Sequence, residues 1–321
     1  MRHKKILWIL KFLIGVLLIV LIYSHIGQKK SVIEAFTSAN PVYVLLGFLL
    51  LMPNLYMQFL KWRYLLNGHF EGINDALVIK SLLFGATLGF VTPGNLGELG
   101  RGLYFKEHNK FVVTGLNILD KIFGMLIFIT IGLFSFNVII EVKHFFSREF
   151  ILMIHIVSII LMVIIWILII HPSFSNNIMT RIARKFSPGS KISLIFSGLK
   201  TVSFSRTVIL ILLNSVWVFI ILLQYHFIIN AFTPVPLKVS LLAISATLFT
   251  KILLPISLGD LGVREGAAVF YFSLFFVPSS AAFYTSLLLF LINFCFPALM
   301  GSYFVFRLKW EQKAATASWK S

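Results

Sequence analysis

The chain has 321 residues, of which 59% are hydrophobic and 12% are charged. Because a soluble domain carries roughly 25% charged residues, the composition excludes an ordinary soluble protein. The formal net charge of +17 could suggest nucleic acid, but Lys and Arg fall mostly in short segments between apolar runs. That distribution is typical of membrane topology. We therefore expect a polytopic helical membrane protein that binds no nucleic acid.

Apolar length predicts six full membrane crossings, because a helix needs about 20 residues to span the hydrocarbon core. They lie near 6–26, 41–60, 111–140, 150–170, 207–230 and 280–306. The first run resembles a signal peptide but lacks a small-residue cleavage site, so we expect an uncleaved transmembrane helix.

Two further apolar segments, near 75–107 and 239–277, are interrupted by Pro, Gly and charged residues. A helix facing lipid would not tolerate these residues, so we predict re-entrant hairpins or broken helices inside the bundle. The predicted fold class is therefore all-α integral membrane, with six full transmembrane helices and two broken-helix hairpins. Residues 1–321 form a single membrane domain in this prediction.

Positive charge predicts the orientation of the chain. With the N terminus inside, the cytoplasmic segments contain 17 Lys and Arg residues, including Lys61, and the opposite side contains five. Both termini are therefore expected in the cytoplasm, with the protein in a prokaryotic inner membrane. The basic stretch 172–206 is a predicted cytoplasmic loop. Either it attracts anionic lipid headgroups, or its charge only fixes topology.

A short motif occurs twice in the chain. Residues 93–101 read Pro-Gly-Asn-Leu-Gly-Glu-Leu-Gly-Arg, and residues 255–265 read Pro-Ile-Ser-Leu-Gly-Asp-Leu-Gly-Val-Arg-Glu. Three predicted crossings separate the copies, so one hairpin enters from the cytoplasm and the other from outside. This arrangement predicts an inverted-topology repeat.

Each copy contains residues that break a helix, since Pro removes a backbone donor and Gly permits positive φ and close backbone approach. The predicted break residues are Pro93, Gly94, Gly97, Gly100, Pro255, Gly259 and Gly262. Upstream of the first copy, Gly85 and Gly89 have a small-residue spacing that permits close helix contact. The ends of a broken helix expose backbone groups and partial charge, where a charged ligand can bind.

The motif also places charged side chains at membrane depth, where charge is costly unless it is paired, solvated or bound to a ligand. We predict that Glu98 and Arg101 in the first copy bind substrate. Asp260, Arg264 and Glu265 are the matching residues of the second copy. The alternative is that Glu98 with Arg101, and Asp260 with Arg264, are salt bridges that only hold the broken helices together.

Three more charged residues are candidates for the same cavity. Asp120 and Lys121 lie ten residues into an apolar run. Either they face the cavity with Glu98, or the helix starts near Asn117 and places them at the membrane interface. Lys251, just before the second motif, has the matching ambiguity.

The sequence gives no support for conventional site chemistry. Its eight histidines are scattered, and its one cysteine, Cys295, excludes a multi-cysteine metal site. We found no P-loop, nucleophile elbow or dinucleotide fingerprint. We therefore expect no metal, no cofactor and no catalytic residue.

The two motifs resemble those of the lysylphosphatidylglycerol synthase transmembrane-region family, also called flippase-like domain proteins. The similar segments run from Thr92 to Arg101 and from Leu254 to Gly266, and the resemblance covers nearly the whole chain. Family members often carry a second Gly after Pro-Gly, where this chain has Asn95. The resemblance implies a domain that moves aminoacylated, polyprenyl-linked or glycosylated lipids between leaflets. With 321 residues, we expect no soluble aminoacyltransferase domain and hence no lipid synthesis.

The predicted function is therefore lipid translocation. An anionic or zwitterionic headgroup would enter a polar cavity where the two hairpins meet, and Arg101 and Arg264 would pair with its phosphate. The expected partners are membrane lipids and a possible lipid-modifying enzyme. Two alternatives stay open: a membrane enzyme that transfers a group to or from a lipid carrier, and a non-transporting subunit of a lipid-modifying enzyme.

The charge distribution gives a test of orientation. In a Cys295→Ala background, a Ser187→Cys substitution should be unreactive to an impermeant thiol reagent in intact cells, and Lys143→Cys should react. Labelling of the Ser187 position from outside without labelling of the Lys143 position would overturn both the orientation and the inverted repeat.

Overall fold

The computed structural model describes residues 17, 19–24, 32–92, 95–170, 190–199, 203–254 and 261–318. All regular secondary structure in these ranges is helical. After a short helical stretch at 17 and 19–24, the α-helices are α1 (Val32–Thr37), α2 (Pro41–Leu49), α3 (Leu51–Asn67), α4 (Asp75–Phe90), α5 (Lys110–Val142), α6 (Arg148–Ile170), α7 (Lys191–Leu199), α8 (Phe204–Phe232), α9 (Leu237–Leu253), α10 (Val263–Ser273), α11 (Ser279–Phe290) and α12 (Phe296–Ser318). A 3₁₀ helix covers Leu96–Tyr104, and a π-helical turn covers Leu291–Cys295.

Five helical segments among the described residues are long and apolar enough to cross a membrane. They are Pro41–Asn67, Lys110–Val142, Arg148–Ile167, Phe204–Phe232 and Ser279–Arg307. Each corresponds to a predicted crossing, so the all-α membrane fold is confirmed. The remaining predicted crossing, 6–26, lies mostly outside the described residues.

The start of α5 decides between two alternatives left open by the sequence. The side chain of Asn109 accepts a hydrogen bond from a first-turn amide and caps the helix. The helix therefore begins at Lys110 and not near Asn117. Asp120 and Lys121 consequently lie about three turns inside the helix, and they point into the bundle.

Both predicted interruptions are present as pairs of helices. The first pair is α4 and the 3₁₀ helix, and the second is α9 and α10; the members of each pair pack against each other. In the second pair the hydroxyls of Thr250 and Tyr271 lie 2.9 Å apart. Re-entry from one side of the membrane stays a prediction. Pro93, Gly94, Pro255, Gly259 and Asp260 lie outside the described residues.

The first pair is antiparallel and matched in register. A Cβ atom added at Gly85 would lie 2.5 Å from Cγ of Arg101, and one added at Gly89 would lie 2.6 Å from Cγ of Glu98. Gly85 and Gly89 are four residues apart in an α-helix, and Glu98 and Arg101 are three residues apart in a 3₁₀ helix. Both spacings correspond to about 6 Å along the helix axis. The two glycines of α4 therefore leave space for the two charged side chains of the 3₁₀ helix.

Glycines of the motif have different roles in the two copies. Gly97 and Gly100 lie within the 3₁₀ helix, after the break, and a Cβ atom at Gly97 would overlap the carbonyl oxygen of Leu88. Gly262 has φ of +85° and directly precedes α10. Asn95 has φ of 55°, a left-handed conformation that Gly favours and Asn tolerates. This explains why Asn is accepted after Pro-Gly.

The predicted loop at 172–206 is only partly a loop. It contains α7, and α8 already begins at Phe204. Gly198 of α7 packs so closely on Gly115 of α5 that a Cβ atom on either would overlap backbone of the other helix. Residues 190–199 therefore belong to the packed bundle, while 171–189 and 200–202 lie outside the described residues.

The contact between α4 and α12 depends on Gly301. A Cβ atom at Gly301 would overlap the carbonyl oxygen of Leu83, and Thr87 Oγ1 donates a hydrogen bond of 2.8 Å to the carbonyl of Ala298. The backbone of α4, which carries the first broken segment, is thus fixed directly against α12.

We expect Gly301→Ala to destabilise the protein by about 1–3 kcal/mol, because the added methyl group forces two backbones apart. Gly266→Ala is the matched control, since its nearest neighbour is the flexible Ile22 side chain at 3.3 Å. Thermal unfolding in detergent should show a lower Tm for the first variant only. Equal Tm values would contradict the proposed packing constraint.

Candidate functional site

The 3₁₀ helix determines which side chains meet at the first motif. In a 3₁₀ helix residues i and i+3 lie on one face, so Glu98 and Arg101 project together towards α5. A 3₁₀ helix of nine residues is unusually long, and such stretches often mark a functional hinge.

Five charged side chains form what we call the first charged cluster: Lys61, Glu98, Arg101, Asp120 and Lys121. Lys121 Nζ donates a hydrogen bond of 2.7 Å to Glu98 Oε2, and Arg101 Nη2 lies 3.6 Å from the same oxygen. Arg101 Nη1 lies 3.6 Å from Asp120 Oδ2, and Lys61 Nζ lies 3.3 Å from Asp120 Oδ1. Cations and carboxylates therefore alternate along one continuous chain.

Lys61, Arg101 and Asp120 of the first charged cluster are buried, Glu98 and Lys121 are partly exposed, and the cluster carries an excess of positive charge. Lys61 is 3% exposed and Arg101 is 5% exposed, and unpaired charges at such sites cost several kcal/mol each. Three cations face two carboxylates, which leaves one positive charge in excess. A further negative group would complete the charge balance.

Arg101 is the least satisfied member of the cluster. Its Nε and Nη1 atoms are buried and have no hydrogen-bond partner within the described part of the chain. The ion-pair separations of 3.6 Å exceed normal hydrogen-bond lengths. Because a guanidinium group binds phosphate or carboxylate through two parallel hydrogen bonds, Arg101 is well suited to receive an oxyanion.

Neutral groups hold the cluster in place. Lys61 Nζ donates a hydrogen bond of 2.9 Å to Asn214 Oδ1 and lies 3.9 Å from the centre of the Trp217 ring. Asn117 Nδ2 donates to the backbone carbonyl of Glu98 at 2.6 Å. Helices α3, α5 and α8 and the 3₁₀ helix thus fix the cluster jointly.

The second charged cluster consists of Arg264 and Glu265 with Gly262 and Ser286. Glu265 accepts hydrogen bonds from the Gly262 amide at 2.7 Å, from Arg264 Nη2 at 2.5 Å and from Ser286 Oγ at 3.2 Å. Arg264 Nε donates to Ser286 Oγ at 3.0 Å. The carboxylate therefore caps the first turn of α10 and neutralises the adjacent arginine.

The structure adds an ion-pair partner to each motif. Glu98 does pair with Arg101, but its shorter contact is with Lys121. Arg264 pairs with Glu265, whereas its predicted partner Asp260 lies outside the described residues. Among the described residues, no group of three or more His, Cys, Asp or Glu side chains is arranged to hold a metal ion.

Lys61 is a member of the site that the sequence analysis missed. It was counted as a cytoplasmic topology signal, but its side chain points into the bundle. Without it the charge count is 16 to five, so the predicted orientation is unaffected. Asn54, Gln58 and Lys61 are spaced by four and three residues and share one face of α3. This polar stripe in an apolar helix could have identified the lysine.

The polar stripe continues away from the first charged cluster. Asn54 receives a hydrogen bond of 2.8 Å from Trp217 Nε1 and donates one of 3.0 Å to Asn293 Oδ1. Asn293 in turn donates to Gln224 Oε1 at 2.9 Å. Asn293 is the central residue of the π-helical turn Leu291–Cys295, and such turns occur frequently at functional sites.

Comparison with known proteins supports the resemblance seen in the motifs. The family model for the lysylphosphatidylglycerol synthase TM region matches residues 8–301, a range that includes both motifs and both charged clusters. No curated protein and no solved structure matches the chain. Since the family model extends over most of the sequence and the described helices are those of a membrane bundle, the chain belongs to the lysylphosphatidylglycerol synthase TM-region family.

Proposed function

We propose that the protein moves a phospholipid or a lipid-linked headgroup between leaflets, and that the first charged cluster binds the anionic group of that lipid. One observation carries the proposal: the cluster is largely buried at a broken helix and has one more cation than carboxylate. Membership of a family tied to lipid modification supports a lipid as the ligand.

The contacts of Arg101 suggest how the headgroup is held. An oxyanion could accept a hydrogen bond from Nε or from Nη1, which lack such partners among the described residues. Asp120 and Glu98 lie on either side of the guanidinium group at 3.6 Å and would keep it oriented. Lys61 and Lys121 neutralise these carboxylates, so their repulsion of an incoming phosphate is reduced.

The second broken segment would couple to this binding event. Helix α9 packs against α5, which carries Asp120 and Lys121, so a shift of the second segment would reach the first charged cluster. In inverted-repeat transporters, movement of one repeat against the other opens the site to alternate sides. We expect no nucleotide site, and net movement would therefore follow a lipid gradient or an ion gradient.

The enzymatic alternative has less support from the described residues. It needs a carboxylate base, and Glu265 was one candidate. Glu265 is fully buried and both of its oxygens accept hydrogen bonds. If the protein were a non-transporting subunit, the protein alone would not move lipid between leaflets. The translocation measurements below test this alternative.

Removal of the central ion pair should stop translocation without unfolding the protein. The double variant Arg101→Gln/Asp120→Asn removes one cation and one carboxylate. Lys121 stays paired with Glu98, and Lys61 keeps its hydrogen bond to Asn214 and its contact with the Trp217 ring. Scrambling of fluorescent phosphatidylglycerol in proteoliposomes should slow at least about tenfold, since charge-assisted hydrogen bonds contribute about 1.5–3 kcal/mol. A folded double variant that moves lipid at the wild-type rate would show that the pair is only structural.

The control for this variant is Arg63→Gln/Asp75→Asn. These residues form an ion pair of 2.8 Å, but it is exposed to solvent, and an exposed pair contributes at most about 1 kcal/mol. The control carries the same chemical changes outside the first charged cluster, and it should translocate lipid at the wild-type rate.

Lys61 should determine the preference for anionic lipid. Lys61→Met removes the excess positive charge, so the rate for phosphatidylglycerol relative to phosphatidylethanolamine should fall at least about fivefold, equivalent to about 1 kcal/mol. Lys61→Met/Asp120→Asn restores the excess and should recover the preference. Lys238→Met, an exposed position, is the control. Failure of the double variant to recover the ratio would contradict selection by net charge.

A further inference from the structure

A basic pocket lies apart from both charged clusters. Its volume is about 350 Å³, near the lower end of the roughly 300–1,000 Å³ found for small-molecule sites. Lys80, Lys106 and Arg307 line it together with His108, and Glu107 is the one carboxylate in its lining. The cationic side chains therefore exceed the carboxylate by two charges, even with a neutral histidine.

Two helix starts and α12 supply the lining of this basic pocket. Asn74 and Ala76 lie at the start of α4, His108 lies just before the start of α5, and Arg307 lies on α12. The predicted orientation places this surface in the cytoplasm.

We propose that the basic pocket binds the phosphate of an anionic phospholipid headgroup that is not itself translocated. Basic pockets between transmembrane helices at the cytoplasmic surface recognise anionic headgroups. Leu77 and Tyr104 also line the pocket and would contact the glycerol and the first part of the acyl chains. A soluble organic phosphate also carries a phosphate group, but it has no acyl chains to contact Leu77 and Tyr104.

The histidine gives the basic pocket an additional polar contact. His108 Nδ1 is buried and has no hydrogen-bond partner in the part of the chain that the structure describes. The ring packs edge-on against Phe70, with centroids 4.6 Å apart, which fixes its orientation. A phosphate oxygen in the pocket would accept a hydrogen bond from Nδ1 in the tautomer that carries the proton there.

Lys80, Lys106 and Arg307 line a cavity, whereas other basic residues on the predicted cytoplasmic side do not. Lys110 and Lys191 are both exposed, and their ammonium groups lie 5.5 and 5.9 Å from the Phe111 ring. They do not line the pocket. They therefore provide a control with equal charge but without the cavity.

The test measures retained phosphatidylglycerol on the full-length protein by native mass spectrometry after exchange into neutral detergent. Lys80→Gln/Lys106→Gln should weaken retention about tenfold or more, as expected for the loss of two cations near a headgroup. Lys110→Gln/Lys191→Gln should leave it unchanged. Ala76→Trp keeps every charge but fills the pocket, and it should also lower retention.

Three results would overturn the proposal. Equal losses in the two lysine double variants would mean that general surface charge holds the lipid. Unchanged retention in Ala76→Trp would exclude the cavity as the binding site. Displacement of phosphatidylglycerol by millimolar glycerol 3-phosphate would identify a soluble phosphate as the occupant. Lipid retention is measured without any lipid movement between leaflets. We expect these variants to translocate lipid at the wild-type rate, because the basic pocket is separate from the first charged cluster.

Discussion

The cost of burying charge in a membrane bundle is the constraint on which the rest of this structure depends. Arg101 and Asp120 lie at the centre of the first charged cluster, and neither is stable there without a partner of opposite sign. Their position requires a lysine from α3, a lysine from α5 and a carboxylate from the 3₁₀ helix. The helices are therefore positioned relative to one another by ion pairs as well as by apolar packing.

Glycine makes this arrangement possible. Gly85 and Gly89 on α4 face Arg101 and Glu98, so the broken segment closes on itself with the charged side chains between its two arms. The 3₁₀ conformation is needed because it spaces those side chains by about the same rise as the two glycines. Larger residues at either glycine would displace a charge from its partners, which links backbone packing directly to the electrostatics of the site.

The sequence predicted most of this architecture because its main signals are local. Proline, glycine and charge within an apolar run indicated both broken segments, and Glu98 and Arg101 were correctly placed together. Lys61 was missed because one lysine near the end of a crossing resembles a topology signal. The contact of Arg264 with Glu265 was not anticipated, because Glu265 folds back onto the Gly262 amide at the start of α10. Such contacts depend on where a helix starts, which spacing alone does not determine.

The two motifs differ in the acids that accompany their arginines. Glu265 directly follows Arg264, whereas Gly102 follows Arg101. The second arginine consequently has an adjacent carboxylate that is also bound to the helix terminus, and this unit is well satisfied. The first arginine has no adjacent acid and relies on more distant carboxylates at 3.6 Å. This difference between the described contacts of the two arginines is one reason for our proposal that the first motif binds the ligand.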